Sequence, residues 1–248
     1  MSDDVLVMRQ EAVVEIRINR PSKKNALTSA MYGTIADAIE AAGRDAGTGA
    51  VLISAEGDTF SAGNDLADFA AASGSIGTAP RDVDRFLRAI ATAEKPLIAA
   101  VAGNGIGVGA TMLLHCDIVV IAEEARLITP FTGLGLTPEA ASSLLLPARI
   151  GYPQAYMMLA LGQPVSGAEA ARLGLATMAV PRAEVEDEAR RLARDCCARP
   201  AEAMRITKRL LRNSEAIVAR IDQENEIFRE RLQSPEARAS FEAFFKRQ

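Results

Sequence analysis

Short apolar runs and helical periods divide the chain into two kinds of segment. Residues 5–8 and 13–18 are apolar-rich stretches separated by polar residues 9–11, the pattern of two strands in a hairpin. Residues 50–54 (AVLIS), 97–101 (LIAAV), 118–122 (IVVIA) and 177–180 are short, nearly continuous apolar runs, as expected of buried strands. Met31, Ile35, Ala38 and Ile39 instead recur at the helical period, which predicts a helix capped by Thr28 or Ser29 and reaching about Ala42. Val83, Phe86, Leu87 and Ile90 mark another over 81–93, and residues 155–161 a third. Ser166 and Glu169 form a capping-box pattern ahead of a short helix that Gly174 ends. Beyond Pro181 the pattern is helical throughout, over 183–198, 201–212, 215–232 and 235–246. Ile217, Ile221, Phe228, Leu232, Phe241, Phe244 and Phe245 are too many apolar residues for isolated helices, so they should pack on the main domain or on another subunit.

Residues 95–122 combine these signals. A buried strand, a glycine-rich turn over 103–109, a helix over 110–114 and a second buried strand predict a right-handed βαβ crossover with parallel pairing. Backbone N–H groups at such a turn suit an anion, either a phosphate or a developing oxyanion. Gly105, Gly107 and Ala110 also fit the loose dinucleotide pattern GxGxxA, with Glu123 and Glu124 further on, but the unit does not open a nucleotide domain. In FSAGNDLADF (60–69), the small residues Ser61, Ala62 and Gly63 admit a ligand close to the backbone. The alternative there is a plain strand-to-helix loop capped by Asn64 or Asp65. Residues 72–80 (ASGSIGTAP) read as a surface or active-site loop.

Composition narrows the function classes. With 248 residues, 49% hydrophobic and 24% charged, the chain has enough material for one sizeable globular domain or one and a half, and the βαβ unit makes its class α/β. No apolar run approaches the roughly 20 residues of a membrane helix. Acids at Asp3 and Asp4, where a targeting signal would carry basic residues, give the expectation of a cytoplasmic protein. A net charge of −4 argues against nucleic-acid binding. Residues 190–212 carry eight Lys or Arg against Asp195 and Glu202, readable as a solvated helix face or as a phosphate contact. Glu186–Arg190 and Asp187–Arg191 have the spacing of helix ion pairs. One histidine, His115, excludes a multi-histidine metal site and would have to serve any Ser-His-Asp triad. Cys116 has the apolar neighbours of a buried thiol, and Met157–Met158 reads as core filler.

The chemistry concentrates at TPFTGLGLTPEAASSLLLP (129–147), where Glu139 is a lone carboxylate among apolar residues. Such an acid is costly as an anion, so its pKa should rise toward that of a working base. The alternative is a water-facing glutamate at a helix start, since Thr137-Pro138-Glu139 is good first-turn chemistry.

Taken with NRPSKKNALT (19–28), FSAGNDL (60–66), residues 95–122, GQPVSGAEAARLGLATMAVP (162–181) and the helical tail, this stretch resembles the crotonase (enoyl-CoA hydratase/isomerase) superfamily. The resemblance covers nearly the whole chain, in the family's order and spacing. It implies a spiral of ββα units over residues 1–195, followed by a helical region over 196–248 that builds trimers or dimers of trimers. It implies a coenzyme A thioester as substrate, with no separate cofactor or metal. Backbone N–H groups of Asn64 and Val108 would hold the thioester oxygen. Asn25, Ala26 and Leu27, with Ala62, Gly63, Asn64, Asp65 and Leu66, would line the coenzyme A site, and Lys23 or Lys24 would meet its phosphates. The two glutamates of the family's hydratases fall here at Thr111 and Phe131, neither able to move a proton at neutral pH. The pattern TPFxxLGxxPExxSS is similar to the peroxisomal-type Δ3,Δ2-enoyl-CoA isomerases, whose base corresponds to Glu139; the next residue, commonly glycine there, is Ala140. Other readings are a hydratase-like or different acyl-CoA enzyme, or a non-catalytic homologue that binds coenzyme A or RNA. Dienoyl isomerases carry further acids where Thr111 and Phe131 stand.

Overall fold

A computed structural model describes residues 4–65 and 82–245, so Leu66 and the loop expected at 72–80 lie outside the described residues. The chain opens with β1 (Val5–Gln10) and β2 (Val13–Ile18), then α1 (Ser29–Arg44), β3 (Ala50–Ala55) and β4 (Thr59–Ser61). Next come α2 (Asp82–Thr92), β5 (Leu97–Val101), β6 (Asn104–Ile106), α3 (Val108–Thr111), β7 (Ile118–Ala122) and β8 (Arg126–Ile128). After α4 (Ser142–Ile150) and α5 (Tyr152–Leu161), β9 (Val165–Ser166), α6 (Gly167–Arg172) and β10 (Met178–Val180) complete the sheets. The tail is α7 (Val185–Cys197), α8 (Ala201–Leu211), α9 (Ser214–Leu232) and α10 (Pro235–Phe245).

The order strand, strand, helix repeats, and after the β1-β2 hairpin each repeat sends its first strand to one sheet and its second to another. One sheet has the order β1-β2-β3-β5-β7-β10 and the other β4-β6-β8-β9. Within the first, β1 and β2 form the expected antiparallel hairpin, while β2, β3, β5, β7 and β10 are parallel. In the second, β4, β6 and β8 are parallel and β9 closes the edge antiparallel. Successive β3-β4, β5-β6 and β7-β8 pairs therefore climb rung by rung, which is the expected spiral. The βαβ crossover is present, with Ile98 opposite Ile118. The stretch expected as one glycine turn, 103–109, is instead half strand: Gly103 and Gly105 sit where a Cβ would lie 2.1 Å from Asp58 O and 2.8 Å from Gly109 O. These two glycines serve close strand packing.

The core forms where the first sheet's faces are covered. Strands β3 and β5 are buried along their whole length, as parallel strands between two layers must be. On one side α1 presents Met31, Ile35, Ala38 and Ile39, all buried, and packs on α2, which adds Phe86, Leu87 and Ile90. Thr28 is the N-cap of α1, its side chain accepting from Met31 N. On the other side α7 buries Val185, Ala189 and Ala193 against β3, β5 and β7. Ser166 caps α6 through Glu169 N, while the Glu169 carboxylate turns to Arg172, so only half of the capping box forms. In the tail Ile217, Ile221 and Phe228 are buried and Leu232 and Phe241 pack against the core. Met158 is buried, and Met157 is exposed on the outer side of α5. Among the described residues no helix is long and apolar enough to cross a membrane.

Candidate active site

Strands β4 and β6 run parallel, so their carboxyl ends lie side by side, the usual place for a ligand in α/β sheets. Just past each end is a glycine with a positive φ, Gly63 (89°) and Gly107 (57°). A Cβ on Gly63 would meet Ile106 O at 2.8 Å and Gly107 Cα at 3.8 Å, so the two turns touch. Asn64 follows the first and Val108 the second. Val108 opens α3, and the N–H of a first helical residue has no acceptor within its own helix. Asn64 forms a parallel bridge with Leu27 that is closed by Leu27 N to Gly63 O (2.8 Å) and Asp65 N to Leu27 O (2.9 Å). The Asn64 N–H takes no part in that pairing. The Tyr32 hydroxyl donates to Asn64 Oδ1 at 2.5 Å and holds the turn from α1.

The same bridge brings together the two segments expected to line one binding groove. Ala62 N donates to Lys24 O (2.9 Å), which extends the zipper from residues 24–27 to 62–65. Lys23 and Lys24 are exposed, Ala26 and Ala62 half-buried, and Leu27 and Gly63 buried. Asn25 and Asp65 have side chains committed to the loop itself. Asn25 Nδ2 donates to Glu56 O and Thr59 O (2.8 and 2.6 Å), its Oδ1 accepts from Arg20 N, and Asp65 pairs with Arg20 at 2.7 Å.

Glu139 is 4% exposed, and its Oε1 has no hydrogen-bond partner among the described residues. The water-facing helix-start alternative is therefore excluded, and α4 begins three residues later, at Ser142. Burial, with a smaller contribution from the nearby Glu224, pushes the Glu139 carboxyl up to about 8. The turn that follows is unusual, because Ala140 and Ala141 both sit in the left-handed region (φ 60° and 54°), costing about 1–2 kcal/mol each for residues with a Cβ. His115 secures it. The 3-10 turn Met112–His115 continues from α3 and delivers His115 Nε2 to 2.8 Å from Ala140 O. Arg212 reaches His115 Nδ1 at 2.6 Å. Guanidinium can only donate, so Nδ1 is bare and Nε2–H donates to Ala140 O. Burial, with Arg212 adding to it, pushes the His115 pKa down to about 3, leaving the ring neutral.

These contacts dispose of several sequence-based alternatives. Neither His115 nitrogen meets a serine or an aspartate, so no Ser-His-Asp triad forms. Gly107 N donates to Ile128 O (2.8 Å), which binds β6 to β8 and removes that N–H from any phosphate cradle. The basic stretch 190–212 is largely occupied internally: Arg190 meets Glu15 and Glu186, Lys208 meets Asp117, and Arg212 holds His115. Glu186–Arg190 pairs as expected at 2.6 Å. Arg191, however, turns to Glu188 and Asp195, leaving Asp187 to Arg190 at 3.7 Å, because closer carboxylates flank Arg191 on its own face. Among the described residues no group of three or more His, Cys, Asp or Glu is placed to hold a metal. Thr111 and Phe131 are both buried, and Thr111 Oγ1 has no partner among the described residues. Sequence reasoning did not single out Tyr32, Arg212 or Glu224. Only Glu224 left a trace, as a carboxylate in line with Ile217, Ile221 and Phe228.

The model of the enoyl-CoA hydratase/isomerase family matches residues 8–248. Enoyl-CoA delta isomerase 2 of Rattus norvegicus is 35% identical over 218 residues, 86% of this chain but 56% of that protein, so the chain spans little more than half of this relative. A probable enoyl-CoA hydratase of Rhodobacter capsulatus is 31% identical over 240 residues, covering 96% of this chain and 93% of that protein. Among solved structures, an enoyl-CoA hydratase/isomerase from Pseudoalteromonas atlantica superposes with a TM-score of 0.93 at 40% identity, over 99% of this chain and 98% of the other. With the two-sheet spiral, the paired glycine turns and a match along nearly its whole length, the chain belongs to the enoyl-CoA hydratase/isomerase family of the crotonase superfamily.

Proposed function

We propose that the protein is a Δ3-to-Δ2 enoyl-CoA isomerase in which Glu139 is the single catalytic base. The observation that carries this reading is a buried carboxylate with an unpartnered oxygen, while the positions of the hydratase acids hold Thr111 and Phe131. A 3-enoyl thioester loses a C2 proton to Glu139, its electrons move onto the thioester oxygen, and the same proton returns at C4. One carboxylate serves both transfers, and no water is consumed. The N–H groups of Asn64 and Val108 receive the enolate oxygen, each such donor typically worth about 3–4 kcal/mol of barrier. A pKa near 8 leaves only about one tenth of Glu139 ionised at pH 7, but gives the ionised fraction the strength to take a carbon-bound proton.

Coenzyme A is the handle of the substrate in this reading. Segments 25–27 and 62–65 line its path, and the exposed Lys23 or Lys24 meets its phosphates. Residues 1–195 supply the groups that meet the substrate, and residues 196–248 brace the Glu139 turn through Arg212 and Glu224 and supply the self-association surface of a trimer or dimer of trimers. The names printed for two relatives pull in different directions, delta isomerase for the rat protein and hydratase for the Rhodobacter one. The absence of acids at 111 and 131 favours the first. The deciding experiment follows absorbance with trans-3-hexenoyl-CoA beside crotonyl-CoA. Isomerisation without hydration is expected; hydration of crotonyl-CoA would transfer the protein to the hydratases, and inactivity on both with thioester still bound would leave a binding role.

A further inference from the structure

The buried stripe of α9 consists of Ile217, Ile221, Glu224 and Phe228. A glutamate therefore occupies a slot that helical spacing reserves for an apolar side chain, 5% exposed. Its Oε1 accepts from Ser143 N (2.9 Å) and Ser143 Oγ (2.5 Å), at the first turn of the helix that starts just after Glu139. Its Oε2 has no partner among the described residues. Arg220, on the same helix, donates to Ser143 Oγ at 3.0 Å rather than to the carboxylate. Two buried carboxylates, each with one unpartnered oxygen, thus flank the left-handed Ala140–Ala141 turn.

The two are not equivalent. Burial raises the pKa of Glu224 too, but the Ser143 hydroxyl and amide at a helix N-terminus, with the charge of Arg220, work against that rise. Glu139 has no such donor on Oε1. When two close acids compete for one negative charge, the better-solvated one keeps it and the other keeps the proton. The surrounding charges do not reverse this ranking. Arg220 lies on the Glu224 side, Asp84 on α2 is paired with Arg229 and Asn225, Arg149 donates to Leu114 O, and His115 is neutral.

We propose that Glu224 is a positioning residue for the reaction assigned to Glu139: its clamped carboxylate retains the negative charge, makes Glu139 the stronger base and pins the turn that presents it. This rests on the base assignment above. A purely structural tertiary cap would need only the Oε1 contact, which glutamine preserves. The test is the pH profile of kcat/KM for trans-3-hexenoyl-CoA in wild type, Glu224→Gln and Glu139→Gln. Glu224→Gln should move the acid limb about one unit toward lower pH, lower kcat on the alkaline plateau about 3- to 10-fold and leave KM within about twofold. An unmoved acid limb in Glu224→Gln, with Glu139→Gln inactive, overturns the role of Glu224 and spares the base; an active Glu139→Gln overturns the base itself. Should Glu224→Gln not fold, infrared titration of the intact wild type decides the matter. Two separated steps in the buried carboxylic-acid carbonyl band are expected, and a single step overturns the proposal.

Discussion

Glu15 and Glu139 are almost equally buried, at 3% and 4% exposed, and they respond to burial in opposite ways. Glu15 on β2 accepts from Ser54 Oγ at 2.7 Å and from Arg17 at 2.9 Å, with Arg190 at 3.4 Å. Burial alone would raise its pKa, but Ser54, Arg190 and Arg17 outweigh it and hold the carboxyl below its usual value. Glu139 receives no such donor on Oε1 and is pushed up to about 8. Burial thus decides neither charge nor role; the donors around the oxygens do. Glu15 is a stabilising anion fastened to α7, whereas Glu139 is an acid left wanting a partner, the condition of a group that exchanges protons with a substrate.

Substitutions can break this contrast, and the largest effect is expected at Glu139, the proposed base. Glu139→Gln should lower turnover on trans-3-hexenoyl-CoA about a thousand-fold or more while still binding the thioester, measured by initial rates and by titration with a non-reactive analogue. Glu15→Gln should do the reverse. It leaves Arg17 and Arg190 without their buried counter-charge and should lose about 2–3 kcal/mol in urea melts, with turnover per folded molecule unchanged.

Stability against pH sharpens the contrast further, since the two signs differ. Glu15 has a lowered folded pKa, so its contribution is present above the unfolded value near 4.5 and is lost as pH falls through the folded one. Glu139 has a raised folded pKa, so the folded state retains a proton that the unfolded chain gives up, and stability declines between about 4.5 and 8. Glu139→Gln removes that decline and should be more stable than wild type by about 4 kcal/mol at pH 8, with little difference at pH 4.5. The smallest effect concerns the turn. Ala140→Gly relieves one left-handed alanine and should raise stability by up to about 1 kcal/mol in thermal melts, partly offset by added freedom in the unfolded chain.

The first sheet and most of the helices were legible because their signals are local, whereas α4 (Ser142–Ile150) was not expected and the helix expected over 110–114 begins at Val108 and passes into a 3-10 turn at Met112. Residues 50–54 and 97–101 are buried along their length and 119–122 likewise, with Ile118 half-buried, and all three were read as buried strands from their apolar runs. The second sheet was not legible, since β4, β6 and β8 have three residues each and β9 two, too short for any alternation to register. Glu139 was legible as an acid in apolar company. What fixes its geometry was not, because His115 meets a partner 25 positions away in Ala140 and another 97 away in Arg212, and Ser143 meets Glu224 across 81. Those pairings exist only after the spiral and the tail have closed on each other. Asn25 shows the same limit from the other side: a residue expected to face the ligand has its amide bound to Glu56, Thr59 and Arg20.

The fixed imidazole bonded next to Glu139, at Ala140, also makes the molecule convenient for spectroscopy. His115 is the sole histidine of 248 residues, so its ring gives one unambiguous set of nitrogen and carbon-bound proton resonances. Its tautomer is set by Arg212 on one nitrogen and Ala140 on the other, and with a pKa near 3 the ring does not titrate over the working pH range. A shift of those resonances on adding a thioester therefore reports movement of the Ala140 carbonyl or of Arg212, the two partners of the ring, the first of them one peptide from Glu139.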